Sequence, residues 1–416
     1  MPRGSTLIRV RTDQLRAAMV AGLVSDGRIR SAAVQRAFRL VPRHLFLPDL
    51  PTAQAYQDEA VATKWVDGVA VSSASQPSMM AIMLEQLELR PGHRVLEIGA
   101  GTGYNAALMA QLVGPTGSVV AVDIDEDLVT GAAEHLVAAG GNGIVLATRD
   151  GALGYPEGAP FDRIVLTVGS WDIQPAWWRQ LAPGGRLLLP LSVRGSQLSV
   201  ALDLVPGPLP HLASVSVRSC AFVRLRGAGA GPDSSRPLGN TGLAVQAADE
   251  RQPDPAELLK LLAAPTGPPR PSPVRMAAVD LWDGLGLWLA VREPRACRLL
   301  VTAAASDRVP SLLPVGVDGG TLALLDQRGL AVVVPCEPGG VRFDRRFPVA
   351  VRPYGPDGGA VADRLVDLLG GWVDAGRPSA SALRLRAYPA DVAPPPGPGV
   401  LVPKAHSQLL LDWPAP

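Results

Sequence analysis

The residues best able to do chemistry stand together in Val95-Leu96-Glu97-Ile98-Gly99-Ala100-Gly101-Thr102-Gly103-Tyr104, an apolar run passing into three alternating glycines. Glycines at such a turn let the backbone approach a ligand closely, and a helix opening just after it offers free N–H groups. A pyridine-dinucleotide fingerprint wants its third glycine at position 104, where this chain has Tyr104. The spacing at 99, 101 and 103 suits S-adenosylmethionine instead, and Glu97, Gly99, Ala100, Gly101, Thr102 and Gly103 are its expected contacts. The plain alternative is a tight turn in some other α/β protein.

Three further positions belong with this turn. Asp123 follows about twenty residues later, where an acid can accept hydrogen bonds from both ribose hydroxyls. It could equally cap a helix, and the two roles could be split with Asp125. Asp150-Gly151 can offer a carboxylate and an amide to adenine, or can be an ordinary turn. Ser75, ahead of Gln76-Pro77, reads either as a helix cap or as a donor beside a reacting group.

The elements that must position these residues follow from periodicity. An N-terminal helical lid is expected from a helix begun at Thr12-Asp13, with Leu15, Met19 and Leu23 on one face, and a second over Ser31 to Leu40. Val41 to Pro48, bracketed by prolines, reads as extended, followed by an irregular segment through Tyr56, Asp58, Lys64 and Trp65. A helix then begins at Ser75-Gln76-Pro77. Beyond Pro91-Gly92, strands at 94–98, 118–122 and 161–168 alternate with helices at 104–113 and 128–139, which means a parallel, doubly wound sheet. A helix at 175–181, a strand at 186–191 and an antiparallel pair at 197–205 and 213–225 close it.

Past that point Gly, Ser and Pro concentrate at 227–237 and 263–273, around a short helix at 255–262. The expected division is a lid and substrate loop at 1–90, a cofactor-binding core at 91–226, a linker at 227–275 and an accessory α/β or β-rich domain at 276–416. In that last part strands are expected at 285–291, 298–302 and 330–334, with one helix at 360–373.

Composition narrows the function classes. At 416 residues two domains are expected. A net charge of +1, from 39 basic and 38 acidic residues, supplies no field for nucleic acid or an anionic membrane. Three scattered cysteines, Cys220, Cys297 and Cys336, make neither a zinc site nor a disulfide framework and fit a reducing cytoplasm. No metal is expected. Neither a signal peptide nor an apolar run long enough to span a bilayer is evident. Hydrolase and kinase motifs are missing as well. Trp177 and Trp178 read as packing residues, and Arg43 either as a partner of a substrate carboxylate or as a solvated surface group. Nothing in the sequence speaks to oligomeric state.

From about Val41 to Leu191 the chain resembles protein-L-isoaspartate O-methyltransferases. Val41-Pro42-Arg43 with Phe46, Ala55-Tyr56 with Asp58, Ser75-Gln76-Pro77, the glycine turn, Asp150-Gly151 and Leu181 through Pro190 occur in that family's order. The resemblance implies a Rossmann-like class I methyltransferase with S-adenosyl-L-methionine as cofactor. Its substrate would be a peptide or protein bearing Asp or isoAsp, methylated on a carboxylate with later succinimide (aspartimide) formation. It further implies that Ser75 lies beside the acceptor carboxylate, that Asp123 holds the ribose, and that Tyr56, Val168 and Gly169 border the substrate. Two features depart from the family: Trp171 stands where small residues are usual, and the chain continues for almost as long again. Both are similar to an actinobacterial branch associated with ribosomally made, modified peptides. A dedicated precursor peptide is therefore the favoured substrate, ahead of general isoaspartyl repair and of a noncatalytic binding module.

Overall fold

The computed structural model describes residues 3–141, 143–232, 235–247, 254–263, 265–301, 309, 319–336 and 346–414. The chain opens with α1 (Arg3–Ser25), α2 (Ala32–Leu40) and the single turn α3 (Thr52–Ala55), then the hairpin β1 (Val61–Val66) and β2 (Val69–Ala74), then α4 (Pro77–Leu87). Helix α1 begins well before Thr12-Asp13, so Asp13 is no cap; it pairs along the helix with Arg16 at 2.7 Å. Ser31 does cap α2, its hydroxyl accepting from the Val34 N–H. Between α2 and α3 the stretch expected to be extended closes into a 3₁₀ turn, Arg43–Phe46, which buries Arg43 and Phe46. The segment expected to be irregular is largely the β1–β2 hairpin, hidden in the sequence because its outer face keeps Trp65, Val66 and Val69 exposed.

The core then runs β3 (Arg94–Ile98), α5 (Tyr104–Val113), β4 (Ser118–Asp123), α6 (Glu126–Ala138), β5 (Ile144–Thr148), β6 (Phe161–Leu166), α7 (Pro175–Gln180), β7 (Leu181–Val193), β8 (Ser196–Val205) and β9 (His211–Ser219). Strands β5, β4, β3, β6 and β7 are parallel and neighbours in that order, so the chain winds outward from β3 in one direction and from β6 in the other. Such a reversal leaves a crevice at the carboxyl ends of the strands, where ligands of α/β sheets bind. Strands β3 and β4 are almost wholly buried, which explains their unbroken apolar runs. Strands β8 and β9 add antiparallel to β7, as expected.

The second half holds β10 (Ser235–Pro237), β11 (Leu243–Ala247), α8 (Pro255–Leu262), β12 (Arg270–Met276), α9 (Leu285–Arg292), β13 (Ala296–Val301), β14 (Gly320–Leu325), β15 (Leu330–Pro335), β16 (Phe347–Tyr354), α10 (Gly358–Asp374), β17 (Arg384–Pro389), β18 (Val400–Pro403) and β19 (Ser407–Asp412). Strands β10 to β16 form a second, seven-stranded antiparallel sheet in the order β10-β11-β13-β14-β15-β16-β12, with α10 packed on it. Segment 285–291 is helical rather than a strand. All seven of its residues are buried among both sheets' cores, and a run without a polar face carries no period to separate helix from strand. Thr302, the expected end of one strand, lies outside the described residues, as do 233, 234, 248–253 and 264 of the expected linker.

The boundaries drawn from composition differ from the topology. Strands β10, β11 and β12 of the 227–275 stretch belong to the second sheet, while β17, β19 and β18 return to the first, extending it to ten strands through β9. Glycine and proline mark turns, and a chain that leaves a sheet and later rejoins it leaves no compositional trace. The return is fastened at Asp172, fully buried, whose carboxylate accepts from the His406 N–H at 2.6 Å and the Ser407 hydroxyl at 2.5 Å. The two sheets meet through Arg298, whose guanidinium donates to Gly195 O and Ser196 Oγ, and through Ser219 Oγ to Asp283 at 2.9 Å. Among the described residues no helix is long and apolar enough to cross a membrane.

Candidate active site

A cleft of about 750 Å³ lies at the reversal point, bounded by the turn after β3, the ends of β4 and β6, strand β2, Ser75 and the segment Val223 to Arg226. The glycine turn has the backbone its sequence requires: Gly99, Gly101 and Gly103 have φ of 98°, 51° and 84°. At Gly99 the absent side chain matters twice, because a Cβ would also stand 2.8 Å from Val168 Cγ1. The turn is pinned by the Gly99 and Ala100 N–H groups on Val122 O and by the Gly101 N–H on Asp123 Oδ2 at 3.0 Å.

Two carboxylates set the cleft's electrostatics. Glu97 is wholly buried; Oε1 accepts from Asn105 Nδ2 at 2.9 Å, and Oε2 has no partner among the described residues. Burial pushes its carboxyl up to about 8. Burial also raises Asp123, against the hydrogen bonds from Gly101 and Asp125 that favour its charge. Asp123 stands at the end of β4 facing the cleft. Asp125 stands at the N-cap position of α6 but makes no side-chain cap. Its carboxylate instead joins Lys64 of β1 at 2.9 Å to Arg226 at 2.5 Å, bridging the hairpin and the 223–226 segment across the cleft. Those two cations hold it below the usual carboxylate range, Arg226 most strongly.

Ser75 lines the cleft and does not cap α4. Gln76 occupies the cap position, and the helix's Ser78 N–H is taken by the Asp58 carboxylate at 2.7 Å. Freed from capping, the Ser75 hydroxyl makes no hydrogen bond among the described residues. Its carbonyl accepts from Arg43 Nη2 at 3.0 Å, and Arg43 Nε donates to Ala55 O at 2.9 Å. Arg43 is 1% exposed and lies over the Tyr104 ring at the wall of the cleft, so it is not a solvated surface group.

Of the residues expected from sequence, Ser75, Glu97, Gly99, Ala100, Thr102, Asp123, Gly151 and Val168 line the cleft together. Gly101 and Gly103 shape the turn from behind. Three others lie elsewhere. Asp150 is spent on the protein itself: Oδ1 caps the following turn at the Ala152 N–H and Oδ2 accepts from the Ala228 N–H at 2.7 Å. Tyr56 is buried behind the cleft, its hydroxyl 2.9 Å from His44 Nδ1. Gly169 pairs with Val223 and Leu225 and faces a neighbouring cleft instead. Trp177 is core as expected and donates its indole N–H to Gly151 O at 2.9 Å. Sequence reasoning missed β2 and Val223 to Arg226, which carry no motif, and Asn105, whose place in the first turn of α5 beside Glu97 no motif marks.

The profile of the family described as protein-L-isoaspartate(D-aspartate) O-methyltransferase matches residues 14–226, just over half of the chain. The chain belongs to this family. It is 38% identical over 173 residues to the protein-L-isoaspartate O-methyltransferase of Ignicoccus hospitalis, covering 42% of this chain and 80% of that one. With the Methanopyrus kandleri enzyme of the same name it shares 41% over 180 residues, covering 43% and 77%. A solved structure titled protein-L-isoaspartate O-methyltransferase aligns over 89% of this chain and 96% of its own, at 23% identity and a TM-score of 0.49. This family member is thus an S-adenosylmethionine-dependent O-methyltransferase of the Rossmann-like class.

The cleft fits that cofactor on its own evidence. S-adenosylmethionine carries an ammonium group on its amino acid end and a ribose diol. Glu97 supplies a buried, unpartnered oxygen for a cation, and Asp123 supplies a carboxylate at the strand end for hydroxyls.

Proposed function

We propose that the protein methylates isoaspartyl carboxylates of polypeptides in general, with Ser75 beside the acceptor, Asp123 on the ribose and Glu97 toward the cationic end of the cofactor. The observation that carries this reading is Ser75, held by a buried Arg43 on its carbonyl and with its hydroxyl uncommitted, on the wall of the cleft that contains both acids.

An acceptor carboxylate is already ionised near neutral pH, so the reaction asks for no strong base. When bound, S-adenosylmethionine supplies an electrophilic methyl group on a sulfonium centre. What the protein contributes is placement and the exclusion of water. Ser75 donates a hydrogen bond to the acceptor carboxylate, a contact of about 1.5–3 kcal/mol when the partner is charged. Arg43 sets the backbone that carries this hydroxyl. Lys64, Asp125 and Arg226 close the cleft on the side of the hairpin. The following backbone nitrogen then attacks the α-carboxyl ester, expelling methanol and closing the succinimide, a step asking nothing further of the protein.

General repair takes precedence over the dedicated precursor peptide. The relatives at 38–41% identity carry the isoaspartate name. Matched isoaspartyl and aspartyl peptides incubated with enzyme and S-adenosylmethionine test this by mass: the isoaspartyl peptide gains one methylene mass and the aspartyl peptide does not. Methylation of the aspartyl peptide alone would return the first expectation.

A further inference from the structure

A second cleft, of about 1550 Å³ counting its open mouth, adjoins the first and shares Arg224 and Leu225 with it. It lies over the edge of the first sheet where β7 ends, β8 begins and β9 ends, the same edge that carries the cofactor cleft. Its floor therefore belongs to the methyltransferase half. Its far wall does not: Gln246 comes from β11 of the second sheet, and Trp282 from the turn before α9.

The lining has a mixed character that suits one class of molecule. Trp171, Phe222 and Trp282 present aromatic surface, and among the lining residues Arg224 alone is charged. Gln246 Oε1 is buried without a hydrogen-bond partner among the described residues, which leaves it an acceptor for a donor. Trp282 is fixed in place by Arg298, which lies over its ring at 5.0 Å while bonding Gly195 and Ser196. An apolar side chain beside a backbone N–H answers both needs, and a polypeptide supplies the pair at every apolar residue. The cleft is also too large for one side chain, and its continuity with the reaction cleft along Arg224 and Leu225 lets one extended chain occupy both.

We infer that this cleft binds the segment of the substrate polypeptide that flanks the acceptor, with an aromatic side chain against Trp282 and a backbone N–H on Gln246. The second sheet is thereby a specificity wall, making the enzyme selective for isoaspartyl sites near aromatic residues. The inference rests on the reading of the chain as an isoaspartyl methyltransferase.

The test uses the full chain and isoaspartyl peptides that differ in one residue, alanine or phenylalanine, placed two positions before or two positions after the acceptor. At one of these positions phenylalanine should raise kcat/KM roughly tenfold, mostly through KM, the effect of burying one aromatic side chain in part. Trp282→Ala should bring the ratio toward one, and Gln246→Leu should lower kcat/KM for alanine and phenylalanine peptides alike by roughly fivefold to tenfold, neither changing the affinity for S-adenosylmethionine. Gln246→Leu nearly keeps the side chain's volume, so it carries the test if Trp282→Ala does not fold. Equal kcat/KM for all peptides, a preference that survives Trp282→Ala, or an unchanged kcat/KM in Gln246→Leu overturns the inference alone. No methylation of any isoaspartyl peptide overturns the parent reading and this inference with it.

Discussion

Arg43 Nη2 lies 3.0 Å from the carbonyl oxygen of Ser75, so a buried guanidinium holds the backbone of the residue whose hydroxyl lines the reaction cleft. Its Nε takes Ala55 O in the same plane, and no carboxylate meets it. Lysine keeps the charge but cannot make both bonds from one rigid fork. Arg43→Lys should lower kcat roughly tenfold to a hundredfold, the range of a sub-ångström misplacement, with the dissociation constant for S-adenosylmethionine nearly unchanged. Calorimetry beside steady-state kinetics checks it, and an unaltered kcat would remove the positioning role.

Glu97 makes cofactor affinity depend on pH. Burial holds its carboxyl at about 8 in the free protein, so it is neutral below that value. A cationic group at Oε2 favours the carboxylate and lowers this value in the complex, so the free protein holds a proton that binding releases. Affinity then rises with pH and levels off near 8. From about pH 5.5 to about 7.5 the dissociation constant should fall by up to roughly tenfold per unit. Glu97→Gln should flatten this dependence. A flat profile in the unsubstituted protein would contradict the assignment.

Asp123→Ala tests the ribose contact. Two hydrogen bonds to a charged acceptor are lost, and the dissociation constant should rise about tenfold to a hundredfold with the melting temperature little changed. Unchanged affinity by calorimetry would reassign the residue to fixing the Gly101 turn alone.

The closing bridge is weaker. Lys64, Asp125 and Arg226 are each partly exposed, so their pairs are screened and contribute at most about 1 kcal/mol apiece. Asp125→Asn should weaken cofactor binding only a few-fold, and less in high salt. A loss that salt does not diminish would place Asp125 in direct contact with the ligand.

Much of this site was legible in the residues. The strand, the alternating glycines and the helix after them form one local unit, and Asp123 follows at a fixed distance because β4 lies beside β3. The positions that misled are those settled by distant partners. Asp150 has the look of a ligand contact until Ala228 takes its carboxylate, and Ser75 has the look of a cap until Asp58 takes that role from another segment. Arg43 reads as a substrate partner or a surface group because nothing nearby in sequence shows Tyr104 beneath it. The helix α9 was misread because it is apolar on every side.

The return of β17 to β19 bears on any shortened protein. Asp172 is buried and accepts from the Ile173 N–H, the His406 N–H and the Ser407 hydroxyl. Asp172→Ala leaves these donors unpaired and should cost roughly 2–4 kcal/mol, seen in chemical denaturation. A chain cut near Leu225 loses three strands of the first sheet and should not stay in solution, where the composition-based boundary expected it to bind cofactor. A soluble, cofactor-binding fragment would show that those strands are dispensable.

The most direct test of the account is the position of the transferred methyl group. Enzyme, labelled S-adenosylmethionine and two peptides of identical composition, one isoaspartyl and one aspartyl, are followed by fragmentation mass spectrometry, with Ser75→Ala alongside. The account predicts a base-labile ester on the isoaspartyl α-carboxylate only, formed far more slowly by Ser75→Ala at similar cofactor affinity. An ester on the aspartyl side chain alone, or equal rates with and without the Ser75 hydroxyl, would contradict it.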